Sequence, residues 1–436
     1  MRTADAPGRA NQESPPALLL AASNWWPPSA RLAIALVKYG CVVSAICPPG
    51  HPLRYVRGIK KICVYHGLRS RSSLIAAIRH ARPDLVVPCD DCSVSQLHEL
   101  HRLYPELRPL IERSLGDPSA FDVLESRDRL LLTARELGIR VPNGCAVTSA
   151  AHARDCYSRY GPSALLKLDG THGGEGVQIV RTESDAAAAF RRMSTTLDIG
   201  TAIKRLIVNR DPLVLWAWRR RRKPAVIMQE FISGTPANIM VACWQGEILG
   251  QVSVQAVSCQ GPMGAANVVR VIDNHEISRA AALLAKRLAM SGFFGLDFIL
   301  ERDSGTAYLI EMNPRCTQLG HLQMPRGDLA GALYARLRGQ QRPEADLPIE
   351  SDTIAFFPHA WLWGTKSGYL QNVYHDVPWE EKRLVELLMR EPWPERQWPA
   401  RIYHFFRRPS PTEVVEFAPT PHSPFAEQPR TAQERI

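Results

Sequence analysis

Apolar and polar positions along residues 17–115 switch repeatedly between two periods. Short apolar runs at 17–22, 41–46, 61–65 and 84–87 read as buried strands, and the 28–39, 72–81 and 94–104 segments carry helical spacing. Ala30, Ala33, Ile34 and Val37 share one helical face, and Gly40 follows as a C-cap. Strands and helices alternating at this pitch predict a small parallel α/β domain. Farther along, 126–137, 149–160 and 184–193 read as helices, while 164–168, 177–180 and 225–232 read as strands. Residues 238–244 and 247–257 form a hairpin around Gln245-Gly246. An apolar helix at 275–290 leads into a second hairpin, 293–315, whose turn is Arg302-Asp303-Ser304-Gly305. Beyond it the pattern predicts a helix at 328–338, a strand at 351–357, an extended stretch at 374–379 leading to a helix at 380–389, and a last strand at 400–406. Residues 1–16 and 408–436 are polar and proline-rich, which predicts a disordered leader and tail.

The chain of 436 residues is long enough for two to four domains. No apolar run approaches the roughly 20 residues that span a bilayer. The apolar run at 17–22 lacks the flanks of a signal peptide, so a cytoplasmic location is expected. Ten scattered cysteines in mostly apolar segments read as reduced core thiols, and the single Cys89-Asp90-Asp91-Cys92 pair fits a strand-to-helix corner as well as a metal or redox motif. A formal charge of +10 admits phosphate-rich ligands. Much of the excess is the run Arg219-Arg220-Arg221-Arg222-Lys223, which reads as a solvated surface, with no nucleic-acid motif beside it.

The chemistry concentrates in the second hairpin. Asp297 sits inside one apolar strand, and Glu311, Asn313 and Arg315 lie two residues apart along its partner, on one face. Three oxygen ligands converging from paired strands suit Mg²⁺, and Arg315 beside them suits a phosphate or acyl-phosphate oxygen. The same residues also fit a satisfied buried ion pair of Arg315 with Glu311 or Asp297. Upstream, Lys167 lies on a strand that runs into Asp169-Gly170-Thr171-His172-Gly173-Gly174-Glu175-Gly176. Such a glycine-rich hairpin can turn its N–H groups toward an anion, and it can equally be a plain turn. Asp90 and Asp91 follow a strand's carboxyl end, where α/β sheets place ligands and where helices need caps.

In this order the motifs resemble the ATP-grasp superfamily, in the branch containing biotin carboxylase and the carbamoyl phosphate synthetase halves. The resemblance covers roughly residues 17–330. It rests on Asp128-Arg129 opening a helix, Lys167, the glycine hairpin, Gln229-Glu230-Phe231-Ile232, Asp297 and Glu311-Met312-Asn313-Pro314-Arg315. It implies an α/β and α+β architecture. A Rossmann-like pre-ATP-grasp domain (17–115) precedes a two-subdomain ATP-grasp domain (116–335, lid about 145–232) and a small C-terminal extension (336–407). The resemblance further implies that Lys167 and Arg129 contact ATP phosphates, that His172, Gly173, Gly174 and Gly176 belong to the closing loop, and that Glu230, Phe231 and Ile232 form the hinge beside adenine. Asp297, Glu311 and Asn313 are then the metal ligands, and Arg315, with Lys167, serves the transferring phosphoryl group. Arg129 stands where the family usually has lysine, and Asn238 is the neutral stand-in for an acid that holds the ribose. ATP and Mg²⁺, with Mn²⁺ as a substitute, are the implied cofactors. The expected activity is a carboxylate–amine ligase acting on small molecules through an acyl phosphate, with no nucleic-acid or membrane partner. A homodimer is one candidate assembly. A bicarbonate-activating carboxylase or carbamoyl-phosphate-type enzyme is the alternative, as is a non-catalytic ATP-binding regulator.

Overall fold

The computed structural model describes residues 14–161, 163–168, 176–194, 225–261, 264–325, 327–341, 349–363, 370–371, 373–390 and 414–417. The first sheet is built from β1 (Ala17–Ala21), β2 (Val42–Cys47), β3 (Lys61–Val64) and β4 (Leu85–Pro88), all parallel in the order β3-β2-β1-β4. Between them run α1 (Pro27–Lys38) and α2 (Ser70–Ala81), and α3 (Asp91–Leu103), α4 (Arg108–Leu115), α5 (Phe121–Leu124) and α6 (Arg127–Glu136) follow. Leu18, Leu19 and Leu20 of β1 are all buried, because a parallel sheet is covered on both faces. One face packs on α2, α3 and α4 through Leu19, Ile46, Leu74, Val86, Leu97 and Ile111. The strands and helices predicted over 17–104 are all present, whereas α4 and α5 were not anticipated.

A second sheet, in the order β5-β8-β6-β7, is entirely antiparallel. Its strands are β5 (Gly144–Val147), β6 (Ala164–Leu168), β7 (Val177–Val180) and β8 (Val226–Gln229), with α7 (Ala150–Tyr160) and α8 (Glu183–Ser194) on one face. Ala153, Cys156, Leu166, Val180, Ala189 and Met228 form its own small core. The strand predicted at 225–232 therefore stops at Gln229. Glu230 turns its side chain back to Asn143 instead, and the chain crosses to the third sheet.

The third sheet has eight strands: β9 (Gly234–Trp244), β10 (Glu247–Gln260), β11 (Ala266–Val271), β12 (Gly292–Glu301), β13 (Ala307–Asn313), β14 (Thr353–Phe356), β15 (Tyr374–Asp376) and β16 (Val414–Glu416). The order is β13-β12-β9-β10-β11-β14-β15, with β16 pairing on β10. Among the described residues the remaining α-helices are α9 (His275–Arg287), α10 (Leu329–Arg338), α11 (His359–Trp363) and α12 (Lys382–Leu388). Gly234 opens β9 where a Cβ would lie 2.0 Å from the Leu300 carbonyl oxygen, so only glycine lets the two backbones approach there. On one side of the sheet, Leu130, Leu131 and Ala134 of α6 pack with Ile239, Val241, Leu284, Phe294 and Leu309. On the other, Met240, Val252, Phe293, Leu329, Phe356 and Leu384 join Leu18, Leu20 and Val43 of the first sheet in one continuous core.

Three expectations change. Residues 414–417 lie in the stretch expected to be tail, yet β16 pairs with Ser258, Cys259 and Gln260 of β10. The cysteines are not uniformly thiols: Cys145 of β5 and Cys156 of α7 are joined, because α7 packs directly over β5, while the other eight are free. The strand β11 went unnoticed. The leader to residue 13, the basic run 219–223 and the strand expected at 400–406 lie outside the described residues. Among the described residues no helix is long and apolar enough to cross a membrane.

Candidate active site

Strand register assembles the polar cluster. In β12, Asp297 lies directly opposite Asn238 of β9 on one side and Glu311 of β13 on the other. Opposed residues in an antiparallel pair sit close enough for their side chains to meet. The Asn238 amide nitrogen donates to Asp297 Oδ1, and Asn313 Nδ2 donates to Asp297 Oδ2 at 2.9 Å. A bulge falls between Asp297 and Phe298, just where the acid must be aimed. Burial, and then the neighbouring Glu311 carboxylate, push the Asp297 carboxyl up to about 6. Two acids held together in a partly dry place call for a cation. Asn238 Oδ1 is also buried with no hydrogen-bond partner. Asp297, Glu311 and the free Asn238 carbonyl thus make an oxygen set that fits Mg²⁺.

Arg315 leaves this cluster toward the first sheet. Its Nη2 donates to Asn313 Oδ1 at 3.1 Å, and its Nε donates to Asp91 Oδ2 at 2.8 Å. Trp26 lies against the guanidinium, 5.7 Å from ring centroid to Cζ. Burial works against this charge, but Asp91, Asp90 and Asp297 outweigh it and hold Arg315 above its ordinary value. The ion pair that the sequence left open is therefore made with Asp91, not with Glu311 or Asp297. Asp90 is a cap and a loop anchor: it accepts from Ser93 N at 2.8 Å, from Ser23 N at 2.5 Å and from Ser23 Oγ at 2.8 Å.

Two cations face the acids from the other side. Lys167 of β6 is 7 % exposed, and burial first, then Arg127, lower its ammonium to about 8 while Glu311 and Asp297 work in the opposite direction. Arg127, at the start of α6, donates from Nη2 to Glu311 Oε1, and its Nε is buried without a partner. The sequence reading missed Arg127 and favoured Arg129. Arg129 instead lies on the outer side of α6, more than half exposed and 3.5 Å from Asp122. The signal was available: Ser126 caps α6 through Arg129 N, so residue 127 begins the helix and points inward with Leu130 and Leu131.

The remaining expected residues divide. Glu230 closes onto Asn143, accepting from its backbone N at 2.9 Å and its Nδ2 at 3.0 Å, while Glu230 N donates to Asn143 O at 2.9 Å. Phe231 is exposed and Ile232 half-buried in the crossing to β9. Asn238, expected at a ribose, instead belongs to the acid cluster. Gly176 has φ +75° and its carbonyl accepts from Leu168 N at 2.9 Å, whereas His172, Gly173 and Gly174 lie outside the described residues.

A family model described as an ATP-grasp domain matches residues 214–318. That stretch, less than half of the chain, is similar to an ATP-grasp domain. The matched stretch contains Asn238, Asp297, Glu311, Asn313 and Arg315, while Lys167 and Arg127 reach the polar cluster from outside it. Over 206 residues, 46 % of this chain, it is 25 % identical to the carbamoyl phosphate synthase large chain of Xylella fastidiosa, of which it spans 18 %. The fold is similar to the biotin carboxylase domain dimer of Hydrogenobacter thermophilus 2-oxoglutarate carboxylase, solved with MgADP, ADP and bicarbonate (TM-score 0.53, 13 % identity, 76 % of this chain and 71 % of that one). It is also similar to N5-carboxyaminoimidazole synthetase of Staphylococcus aureus with ADP (TM-score 0.54, 14 % identity, 76 % and 80 %). The ATP-grasp architecture expected from the sequence is thereby the one observed.

Proposed function

We propose that the protein is an ATP-dependent ligase that activates a small-molecule carboxylate as an acyl phosphate and passes it to an amine, releasing ADP and phosphate. The observation that carries this reading is that Asp297 and Glu311, with the unpartnered Asn238 carbonyl on the strand beside Asp297, lie among the buried Lys167 and the largely buried Arg127 and Arg315. Asp297, Glu311 and Asn238 would hold Mg²⁺, with Asn313 orienting Asp297. The ion would neutralise the ATP phosphates. Lys167 and Arg127 bind and orient the phosphate oxygens, and their charges are positioned before substrate arrives, which is what makes such contacts effective. Arg315 faces the developing charge on the transferred group from the opposite end, held there by Asp91 and Asn313. No side-chain nucleophile is required, since the substrate carboxylate attacks the γ-phosphoryl group itself. Bicarbonate is the smallest substrate of this chemistry, and a carbamoyl-phosphate-type reaction is the second reading.

The test is ADP release with Mg·ATP and pools of carboxylates and amines, with and without bicarbonate. We expect ADP formation that depends on an organic acid. Turnover on bicarbonate alone selects the second reading, and no ADP with any pool removes both. Glu311→Gln is expected to lower turnover at least about 10³-fold with an unchanged circular dichroism spectrum. Wild-type turnover in that variant would remove Glu311 from the metal set.

A further inference from the structure

A second cluster of metal-ligating side chains lies in the second sheet. Among the described residues β5 is its edge strand and pairs with β8 alone. Cys145 stands on β5, half-buried, and α7 packs across it. His152 and Cys156 are four residues apart on α7, one turn from each other on the same face. The two sulfurs and a His152 ring nitrogen all lie within 4.8 Å of one another. Thr148 Oγ1 is 3.2 Å from His152 Nδ1, a contact that restrains the ring. The Cα atoms of Cys145 and Cys156 are 7.3 Å apart, wider than the roughly 4.4–6.8 Å usual for a bridged pair. An ion seated between two sulfurs, at about 2.3 Å from each, accommodates that spacing readily.

We propose that, once the Cys145–Cys156 bond is reduced, the two thiolates and His152 bind one thiophilic divalent cation of the Zn²⁺ class. The steps balance. A dithiol reductant gives two electrons and two protons to the disulfide, yielding two thiols and its own disulfide. The cation then displaces both thiol protons and takes the neutral imidazole as third ligand, with water in the fourth position. Cys145 and His152 are only half-buried, which gives the ion a way in. The bound ion would tie α7 to β5, and Asn143, the partner of Glu230, lies two residues before Cys145.

The experiment uses the full chain, reduced with a phosphine and handled without oxygen, titrated with Zn²⁺ against a chelating dye and with Co²⁺ as a spectroscopic probe. One equivalent of Zn²⁺, and a thiolate-to-cobalt charge-transfer band with tetrahedral d–d bands, are expected for the wild type. Both should be absent from the Cys145→Ser/Cys156→Ser double variant, whose other eight cysteines are unchanged. His152→Ala should keep sulfur ligation but bind at least about tenfold more weakly. Zinc uptake by the reduced wild type no greater than by the double variant would overturn the site, as would His152→Ala binding with wild-type affinity. Cys145→Ser alone, at the sheet edge, keeps the test readable if the buried Cys156 does not tolerate serine.

Discussion

Arg127 and Arg129 carry the same charge two residues apart, and the structure gives them opposite surroundings. Arg127 is largely buried against Glu311 with an unpartnered Nε, and Arg129 faces solvent beside Asp122. Arg127→Ala should therefore lower kcat/KM for ATP by about 10² or more, while Arg129→Ala stays within about twofold. Equal losses in the two variants would return the phosphate contact to Arg129. Lys167 gives a pH signature. Its ordinary value of 10.5 falls to about 8 through burial and then Arg127. Because the folded value lies below the unfolded one, the charged ammonium costs stability in full below about 8, and that cost fades as pH rises toward 10.5. Phosphate binding needs the charged form, so kcat/KM for ATP should fall about tenfold per unit above pH 8. Lys167→Arg, charged throughout, should lose that basic limb, whatever its absolute rate; a limb that persists in the variant assigns it to another group.

At the scale of elements, the hairpins were legible because their turns and apolar runs are unambiguous: β9–β10 and β12–β13 fall where alternation puts them. Asp297, Glu311 and Asn313 were legible for the same reason, since strand period and pairing fix which side chains meet. What sequence did not disclose depended on partners far along the chain. β11 is only six residues, Ala266–Val271, and is specified by β10 and β14 on either side. Asn238 joins the acids only through its cross-strand register with Asp297. The end of β8 at Gln229 is likewise set by a distant residue, Asn143, which captures Glu230 and turns the chain toward β9. That contact fastens the chain at its crossing from the second sheet to the third. Glu230→Ala should leave thermal stability within about 1 kcal/mol while shifting kcat and KM for ATP together by roughly 3–10-fold. Steady-state kinetics with both constants unmoved would make the fastening purely structural.

The molecule as a whole is less divided than its sequence. Segments expected as a leading domain, a grasp domain and a C-terminal extension contribute Leu18, Met240 and Leu384 to one core. A buried polar junction spans the same three segments: Asp376 of β15 accepts from Arg31 of α1 and is 2.8 Å from His321 Nε2. Burial raises the Asp376 carboxyl, but Arg31 and His321 overcome it and hold it below its ordinary value. Burial first, and Arg31 in addition, lower His321 below 6.5 even though Asp376 pulls the other way. Both shifts have one sign in acid. The folded state keeps His321 neutral, so stability is lost as pH falls below the unfolded histidine value, and the Asp376 contribution, present in full above the ordinary 3.8, is lost as pH falls from there through its lower folded value. Asp376→Asn should cost about 3–5 kcal/mol in denaturant unfolding, since it leaves Arg31 buried without its counter-charge. His321→Gln separates the histidine part. Burial also lowers His51, to about 3, and the partly buried His359, to about 4, but they are common to both proteins and cancel in the comparison. The variant should be less stable than wild type at pH 7 and lose less on going to pH 5. Parallel losses in urea midpoint over that interval would mean that the junction holds the three segments together without sensing the proton.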